Sequence, residues 1–247
     1  TAFTRWKQAG NQVRVPRPVR NRQGELLTAI AVPGGKRLGC LFEWVPGEPA
    51  RKSLTPAVLR EIGQAVASLH VLAREFSGPL RASGFRSGYQ YGSRLAASHR
   101  EWIAARRAVI GEENAALLST AVDWLLAAIE RMGETGDSYG LIHADLHFGN
   151  FLVQDGRVSV IDFDQLGWGH YGYDLAVMKV ELANELGGCG EQWDSLIAGY
   201  RHVTALPFAE EGDLGALTVG VHLAFLDWVY NTPNPAVREQ MGPRLPA

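Results

Sequence analysis

Apolar and polar residues follow two rhythms along this chain. Over 26–32 and 38–44, short β-prone runs are joined through Pro33, Gly34, Gly35 and Lys36, which predicts a small antiparallel unit with a hairpin tip. Val15 to Val19 carries two prolines and reads as extended, because proline disfavours helix for the residue before it. Before it, 1–10 reads as the tail of a helix with Phe3 and Trp6 on one face. After Thr55 the period lengthens. Leu59, Ile62, Val66, Leu69 and Ala73 recur at helical spacing, with Thr55 placed to cap and Pro56 at the first helical position. His70 sits beside that face and reads as a satisfied or solvent-facing histidine rather than a ligand. The stretch 78–92 reads as loop, and its Tyr89 and Tyr91 have no assigned chemistry. Helices follow over 94–110 and 113–132, the second with Leu117, Leu118, Ala121, Trp124, Leu125, Ala128 and Ile129 as its core stripe. The last 70 or so residues are again helical in pattern, with Trp193, Leu196, Ile197 and Tyr200 on one face and Leu214, Leu217, Val221, Phe225 and Trp228 on another.

Between these helical parts the period drops to that of a strand. Phe151, Leu152 and Val153 face Val158, Ser159, Val160 and Ile161 across Asp155-Gly156, the dipeptide that supplies the positive φ angles of a tight hairpin. With a two-residue loop, facing residue numbers sum to 311, so Asn150 falls opposite Ile161; one bulge would bring it opposite Asp162. Either register brings an amide and a carboxylate to the open end of the hairpin, beside the loop that carries Asp145. Oxygen ligands so placed suit a divalent cation, and a second carboxylate is left to orient a hydroxyl nucleophile. In a phosphoryl-transfer template those roles fall to Asp145 as base and to Asn150 and Asp162 as metal ligands. Taken singly, each has a plainer reading as a turn residue or strand-end cap. Their order around one hairpin favours the chemical reading.

The string His143, Ala144, Asp145, Leu146, His147, Phe148, Gly149, Asn150, followed by Ile161 to Asp164 and by Tyr173 to Ala176, resembles the aminoglycoside phosphotransferase family, which includes choline-kinase-like and homoserine-kinase-like enzymes. The resemblance covers most of the chain up to about Ala176. It implies an α+β, protein-kinase-like bilobal fold, with a partial antiparallel nucleotide-binding lobe and linker over 1–45 and a helical lobe over 46–247. It also implies ATP as phosphoryl donor, with GTP left open, Mg2+, and a small acceptor bearing a hydroxyl. The segment Leu41 to Glu48 looks like the family's linker, where backbone groups of Glu43 and Val45 would meet the adenine edge. His143, His147, Asp164 and Asp174 become supporting residues, with Asp174 also capping the helix it opens. Gln165 to Gly172 falls in the place of a short activation-type loop, where Trp168 either contacts substrate or packs the loop. Asp227 and Trp228, with Tyr230, would suit a cationic acceptor by charge and aromatic face, against the alternative of exposed helix charges.

Composition narrows the partners further. With 247 residues and 46% hydrophobic side chains, the chain can bury a sizeable core. Net charge is only −2, but Lys and Arg outnumber Asp and Glu 18 to 6 through Ile110 and are outnumbered 6 to 20 afterwards, suggesting an anion-facing and a cation-facing half. No basic-aromatic interleave supports a nucleic-acid partner. No apolar run reaches the ~20 residues of a membrane span, and no signal-peptide pattern opens the chain. Cys40 and Cys189 are too few for a disulfide framework, so a reducing cytoplasm is expected. Oligomeric state is left open. One departure from the family stands out: its phosphate-covering glycine loop, strand lysine and helix glutamate would fall at or before Thr1, and Lys7 and Lys36 are at the wrong places to substitute. The chain then reads as part of a longer kinase, with a pseudokinase-like binding or scaffold module as the alternative.

Overall fold

A computed structural model describes residues 13–84, 89–187 and 190–236. The expected helix tail at 1–10, Lys7 and Cys189 lie outside them. The first described elements are small. Strand β1 (Pro18–Val19) pairs antiparallel with β4 (Leu41–Phe42), while β2 (Thr28–Val32) and β3 (Gly35–Gly39) form a hairpin in which Val32 faces Gly35. The run expected as one strand over 38–44 is therefore two, broken at Cys40 and belonging to different sheets. Its apolar side chains bury too little to hold one register: Leu38, Leu41 and Phe42 are all exposed.

The chain then enters the helical lobe through β5 (Glu48–Pro49) and a 3-10 turn at Ala50–Lys52. Helix α1 (Pro56–Ala82) starts as expected, with the Thr55 hydroxyl accepting the Val58 N–H at 3.3 Å and Pro56 in its first turn. It does not stop where loop was expected. It runs through Pro79 to Ala82, with Ser77 buried and its hydroxyl accepting the Leu141 N–H at 3.3 Å. Leu59, Ile62 and Val66 are wholly buried, each contributing about 1.5–3 kcal/mol by removal from water.

After β6 (Gln90–Tyr91) come α2 (Ser93–Ile110) and α3 (Glu112–Met132), then β7 (Tyr139–Ile142). The α3 stripe is narrower than its pattern implied. Leu125, Ala128 and Ile129 are buried together with Ala115 and Val122, whereas Leu117 and Trp124 face outward, since only one flank of α3 meets α2 and the last helix. The expected hairpin forms as β8 (Phe151–Gln154) and β9 (Arg157–Val160), and β5 adds to its outer edge. Strand β10 (Gly167–His170) lies between β7, antiparallel, and β6, parallel.

Three helices close the lobe: α4 (Tyr171–Leu186), α5 (Gly190–Val203) and α6 (Glu211–Asn231). Helices α1 and α5 approach closely enough that a Cβ on Gly63 would collide with the Leu196 carbonyl, and one on Gly199 with the Arg60 carbonyl. That contact buries Leu196, Ile197 and Tyr200 as expected; on α6, Leu214 and Leu217 are buried but Phe225 and Trp228 are largely exposed. Among the described residues no helix is long and apolar enough to cross a membrane.

Candidate active site

Strand β7 ends at Ile142 and releases the chain into a loop whose backbone is fixed from below. Ala144 takes a φ of 68°, a left-handed conformation costing a residue with a Cβ about 1–2 kcal/mol. The Asp174 carboxylate offsets it by accepting the Ala144 N–H at 2.7 Å and the His143 N–H at 3.1 Å. Asp174 is buried and also faces His70 Nε2 at 3.0 Å, while His70 Nδ1 meets the Tyr200 hydroxyl at 2.9 Å. Contrary to the expectation from the sequence, it does not cap its helix: α4 begins at Tyr171, and Asp174 sits within its first turn, braced against the loop. His70 and Tyr200 had no signal of this role, because Asp174 lies 104 residues from His70 and Tyr200 lies 130 from it.

His143 ties the two halves of the loop together. Its Nδ1 accepts the Asp145 N–H at 3.3 Å, so Nε2 carries the proton and donates to the Ile161 carbonyl at 2.9 Å. Its ring lies 4.6 Å from that of Phe163, next to Asp162. The hairpin register is the one with no bulge: Phe151 faces Val160, and the Ile161 N–H donates to the Asn150 carbonyl at 3.0 Å. Asp155 and Gly156 have φ of 51° and 71°, the pair of left-handed residues that a type I′ turn requires.

Asn150 is buried, and its amide nitrogen donates to the Asp145 backbone carbonyl at 2.8 Å and to Asp145 Oδ2 at 3.3 Å. Its side-chain oxygen has no hydrogen-bond partner among the described residues. Asp162 takes a φ of 65°, which Asp tolerates better than most residues, and it and Asp164 are exposed toward a cavity. His147 accepts the Gly149 N–H at Nδ1 (3.0 Å), which turns a protonated Nε2 toward Asp145 Oδ2 at 3.7 Å. Among the described residues no three His, Cys, Asp or Glu side chains gather as a metal cage. Magnesium takes one or two protein oxygens and completes its shell with phosphate and water. The amide oxygen of Asn150 and the carboxylate of Asp162 fit that donor set.

The cavity, of about 1260 Å³, is mostly apolar. Phe42 to Val45 form one side, Leu152 and Ile161 of the hairpin region another, and Leu69, Ala73 and Phe76 of α1 a third. The Glu43 N–H is spent on the Arg17 carbonyl at 2.8 Å, while its carbonyl and the Val45 N–H carry no hydrogen bond among the described residues. A flat heteroaromatic edge needs one acceptor and one donor of that kind, so the linker fits a nucleobase.

Tyr91 is a further residue the sequence did not assign. Its hydroxyl donates to the Gln165 carbonyl at 3.1 Å and its ring lies 5.1 Å from Tyr173. Burial first, then the neighbouring Tyr89 and the carboxylates of Asp174, Asp145 and Asp164, pushes that hydroxyl up and keeps it a donor. Trp168 is 5% exposed, with the Arg81 guanidinium 4.5 Å over its ring, so it packs the segment rather than opening to a ligand. Asp227 accepts a hydrogen bond from Asn231 at 2.5 Å, and Trp228 lies 5.9 Å from Phe225; no hydrogen bond or ring contact joins either to the Asp145 loop among the described residues.

A helical lobe bearing an acid, amide and acid around one hairpin, next to a strand-derived linker, has the protein-kinase-like phosphotransferase fold. The chain belongs to the phosphotransferase enzyme family, whose sequence profile matches residues 2–212. It is 30% identical to homoserine kinase of Azorhizobium caulinodans over 241 residues, covering 93% of this chain and 68% of that one. Among solved structures, the microcompartment-associated aminopropanol kinase superposes with a TM-score of 0.71 at 26% identity, covering 97% of this chain and 75% of that one. An amicoumacin kinase in complex with AMP-PNP, Ca2+ and Ami superposes with a TM-score of 0.69 at 18% identity, covering 97% and 73%, a likeness of fold. The chain spans 58%, 47% and 56% of the length of three curated relatives that it matches.

Proposed function

We propose that this chain carries the catalytic half of a cytoplasmic small-molecule kinase that moves the γ-phosphoryl group of ATP to an acceptor hydroxyl. The observation that carries the reading is the Asp145 to Asn150 loop, held on one side by Asp174 and on the other by His143 and the hairpin. Residues 1–45 act as part of the nucleotide-binding lobe and linker, and 46–247 as the helical lobe. The Glu43 carbonyl and Val45 N–H take the base edge, and the apolar cavity behind them excludes water from it. Asn150 and Asp162 would hold Mg2+, which supplies charge neutralisation at the phosphate oxygens. Asp164 stands beside that position.

Asp145 orients the acceptor hydroxyl and receives its proton as the new P–O bond forms and the bond to the β-phosphate oxygen breaks. The His147 Nε2–H, facing the same carboxylate, fixes which oxygen is turned to the acceptor. His143 and Asp174 keep the loop in its left-handed shape, so that Asp145 needs no reorganisation during the step.

The test is turnover of ATP and Mg2+ by the intact protein against hydroxylated amines, sugars and amino acids. Asp145→Ala and Asp162→Ala are expected to lower kcat by at least about 100-fold with nucleotide affinity retained in the first and weakened in the second. Equal turnover by both variants and the wild type would remove the mechanism.

A further inference from the structure

Gly167 and Gly169 leave β10 without side chains at two alternate positions, and Tyr91 reaches into both spaces. In β6 it lies opposite Gly169. A Cβ on Gly169 would meet Tyr91 Cβ at 2.8 Å, and one on Gly167 would meet Tyr91 Cε2 at 2.7 Å. Neither glycine has a positive φ, so what they supply is room. The Tyr91 ring is buried, 5.1 Å from that of Tyr173, and its hydroxyl ends on the Gln165 carbonyl at 3.1 Å. The side-chain oxygen of Gln165, at 3.5 Å, is the longer contact.

That carbonyl belongs to the segment that carries Asp162 and Asp164. Asp162 has a φ of 65°, and a left-handed residue with a Cβ persists only where its surroundings over-determine it. Upstream, Ile161 is fixed at both backbone groups: its N–H donates to the Asn150 carbonyl at 3.0 Å, and its carbonyl accepts the His143 Nε2–H at 2.9 Å. Downstream, the Leu166 N–H closes a turn on the Phe163 carbonyl at 3.2 Å, with Asp164 and Gln165 at its centre. Closing on itself gives the turn a shape; its place comes from what it touches. The Phe163 ring lies 4.6 Å from His143, and the Tyr91 hydroxyl ties the Gln165 carbonyl to the paired strands β6 and β10. Tyr173, against the Tyr91 ring, is the residue next to Asp174, which holds the Asp145 loop. Two neighbours in the first turn of α4 thus stand behind both the proposed base and the proposed metal ligands.

Resting on the kinase reading, we propose that Tyr91 is a positioning residue for the metal: its hydroxyl, acting through the Gln165 carbonyl, holds the Asp162 to Gln165 segment where the Asp162 carboxylate can join Asn150 in binding Mg2+. Tyr91 is not itself a ligand in this arrangement. Its loss leaves the ligands present but no longer set, so the metal is held less tightly while the step at Asp145 is untouched.

Mn2+, standing in for Mg2+, can be titrated into the intact protein with a non-hydrolysable ATP analogue and followed by its electron paramagnetic resonance signal, without turnover. Tyr91→Phe removes the hydroxyl and keeps the ring. It is expected to weaken Mn2+ binding about fivefold, the worth of one hydrogen bond, with a melting temperature within about 4 °C of wild type. In turnover the apparent KM for Mg2+ rises by a like factor and kcat recovers at saturating Mg2+, a split that a general loss of folding does not give. A 4-aminophenylalanine at position 91 puts an N–H where the O–H was and is expected to bring Mn2+ affinity back to within about twofold of wild type. Wild-type Mn2+ affinity in Tyr91→Phe overturns the proposal. So does a fall in kcat that saturating Mg2+ leaves in place, because the residue would then act on the acceptor or the base. Failure of the kinase reading shows separately: Asp145→Ala then turns over like wild type, whatever Tyr91→Phe does to Mn2+ binding.

Discussion

The loop between β7 and α4 and the strands between Val13 and Gly47 are built on opposite terms. In the first, the left-handed backbone at Ala144 is held by a chain of buried side chains. Ala144 is held by Asp174, Asp174 is braced by His70, His70 by Tyr200, and His143 joins Asp145 to Ile161. In the second, Val19, Leu38, Leu41, Phe42 and Trp44 are exposed, and the paired strands are short. Under the function proposed above, the contrast separates two requirements of phosphoryl transfer. The residues that meet the reacting atoms must be preorganised to fractions of an ångström, whereas a linker that admits and releases a nucleotide needs only free backbone groups at the right places.

The sharpest way to break that contrast is Asp174→Ala. It strands the His143 and Ala144 N–H groups and the His70 ring in the interior, at a cost of about 3–5 kcal/mol. The melting temperature is expected to fall by roughly 10 °C, and turnover to fall with it even at temperatures where the variant stays folded. A melting temperature within 2 °C or so of wild type would mean that the loop holds itself.

Acid is the next probe. Burial holds His99 down at about 4, and burial, partly offset by the Ser138 backbone and Asp213, does the same for His170. Both are lowered from an unfolded value of 6.5, so below pH 6.5 the unfolded chain takes up protons that the folded chain refuses. Their contribution is complete above pH 6.5 and is lost as the pH falls toward 4. Between pH 7.5 and pH 5 the loss is about 2 kcal/mol per histidine, readable as a shift in the denaturant midpoint. His99→Leu is expected to flatten that slope by about half.

Smaller still is the hairpin turn. Replacing Gly156, at φ 71°, by Ala is expected to cost about 1 kcal/mol, seen by chemical denaturation, with kcat unchanged because the register is also fixed by the buried Phe151 and Val160. The smallest effect lies in the other region. Leu38→Ser, at a side chain 71% exposed, is expected to move stability by no more than about 0.5 kcal/mol. A larger loss would mean that the strands are held by packing on Leu38 beyond what the described residues provide.

Much of the catalytic stretch was legible because its determinants are local. Asp155-Gly156 fixes the turn, the turn fixes the register, and the register sets Asn150 against Ile161, all within 12 residues. Thr55, Pro56 and the apolar spacing fixed the start of α1 for the same reason. Reading failed where a distant neighbour decided. The end of α1 was lost because 78–92 reads locally as loop, while the buried Ser77 is tied to Leu141, 64 residues away. Trp124 and Leu117 were placed in the core because period alone cannot say how wide a face its partner helices cover. The strand over 38–44 was split because two different partners claim its two ends.

The candidate site divides along the same line. Sequence by itself determined that an acid, an amide and a second acid would frame one hairpin, and with it the family to which the chain belongs. It could not determine what keeps them in place. That Asp174 reaches back to the loop and that His70 and Tyr200 stand behind it are contacts between residues tens of positions apart. Only closure of the helical lobe brings them within hydrogen-bond or van der Waals distance, and there burial makes each pairing matter, since an unmatched polar group has no water to turn to.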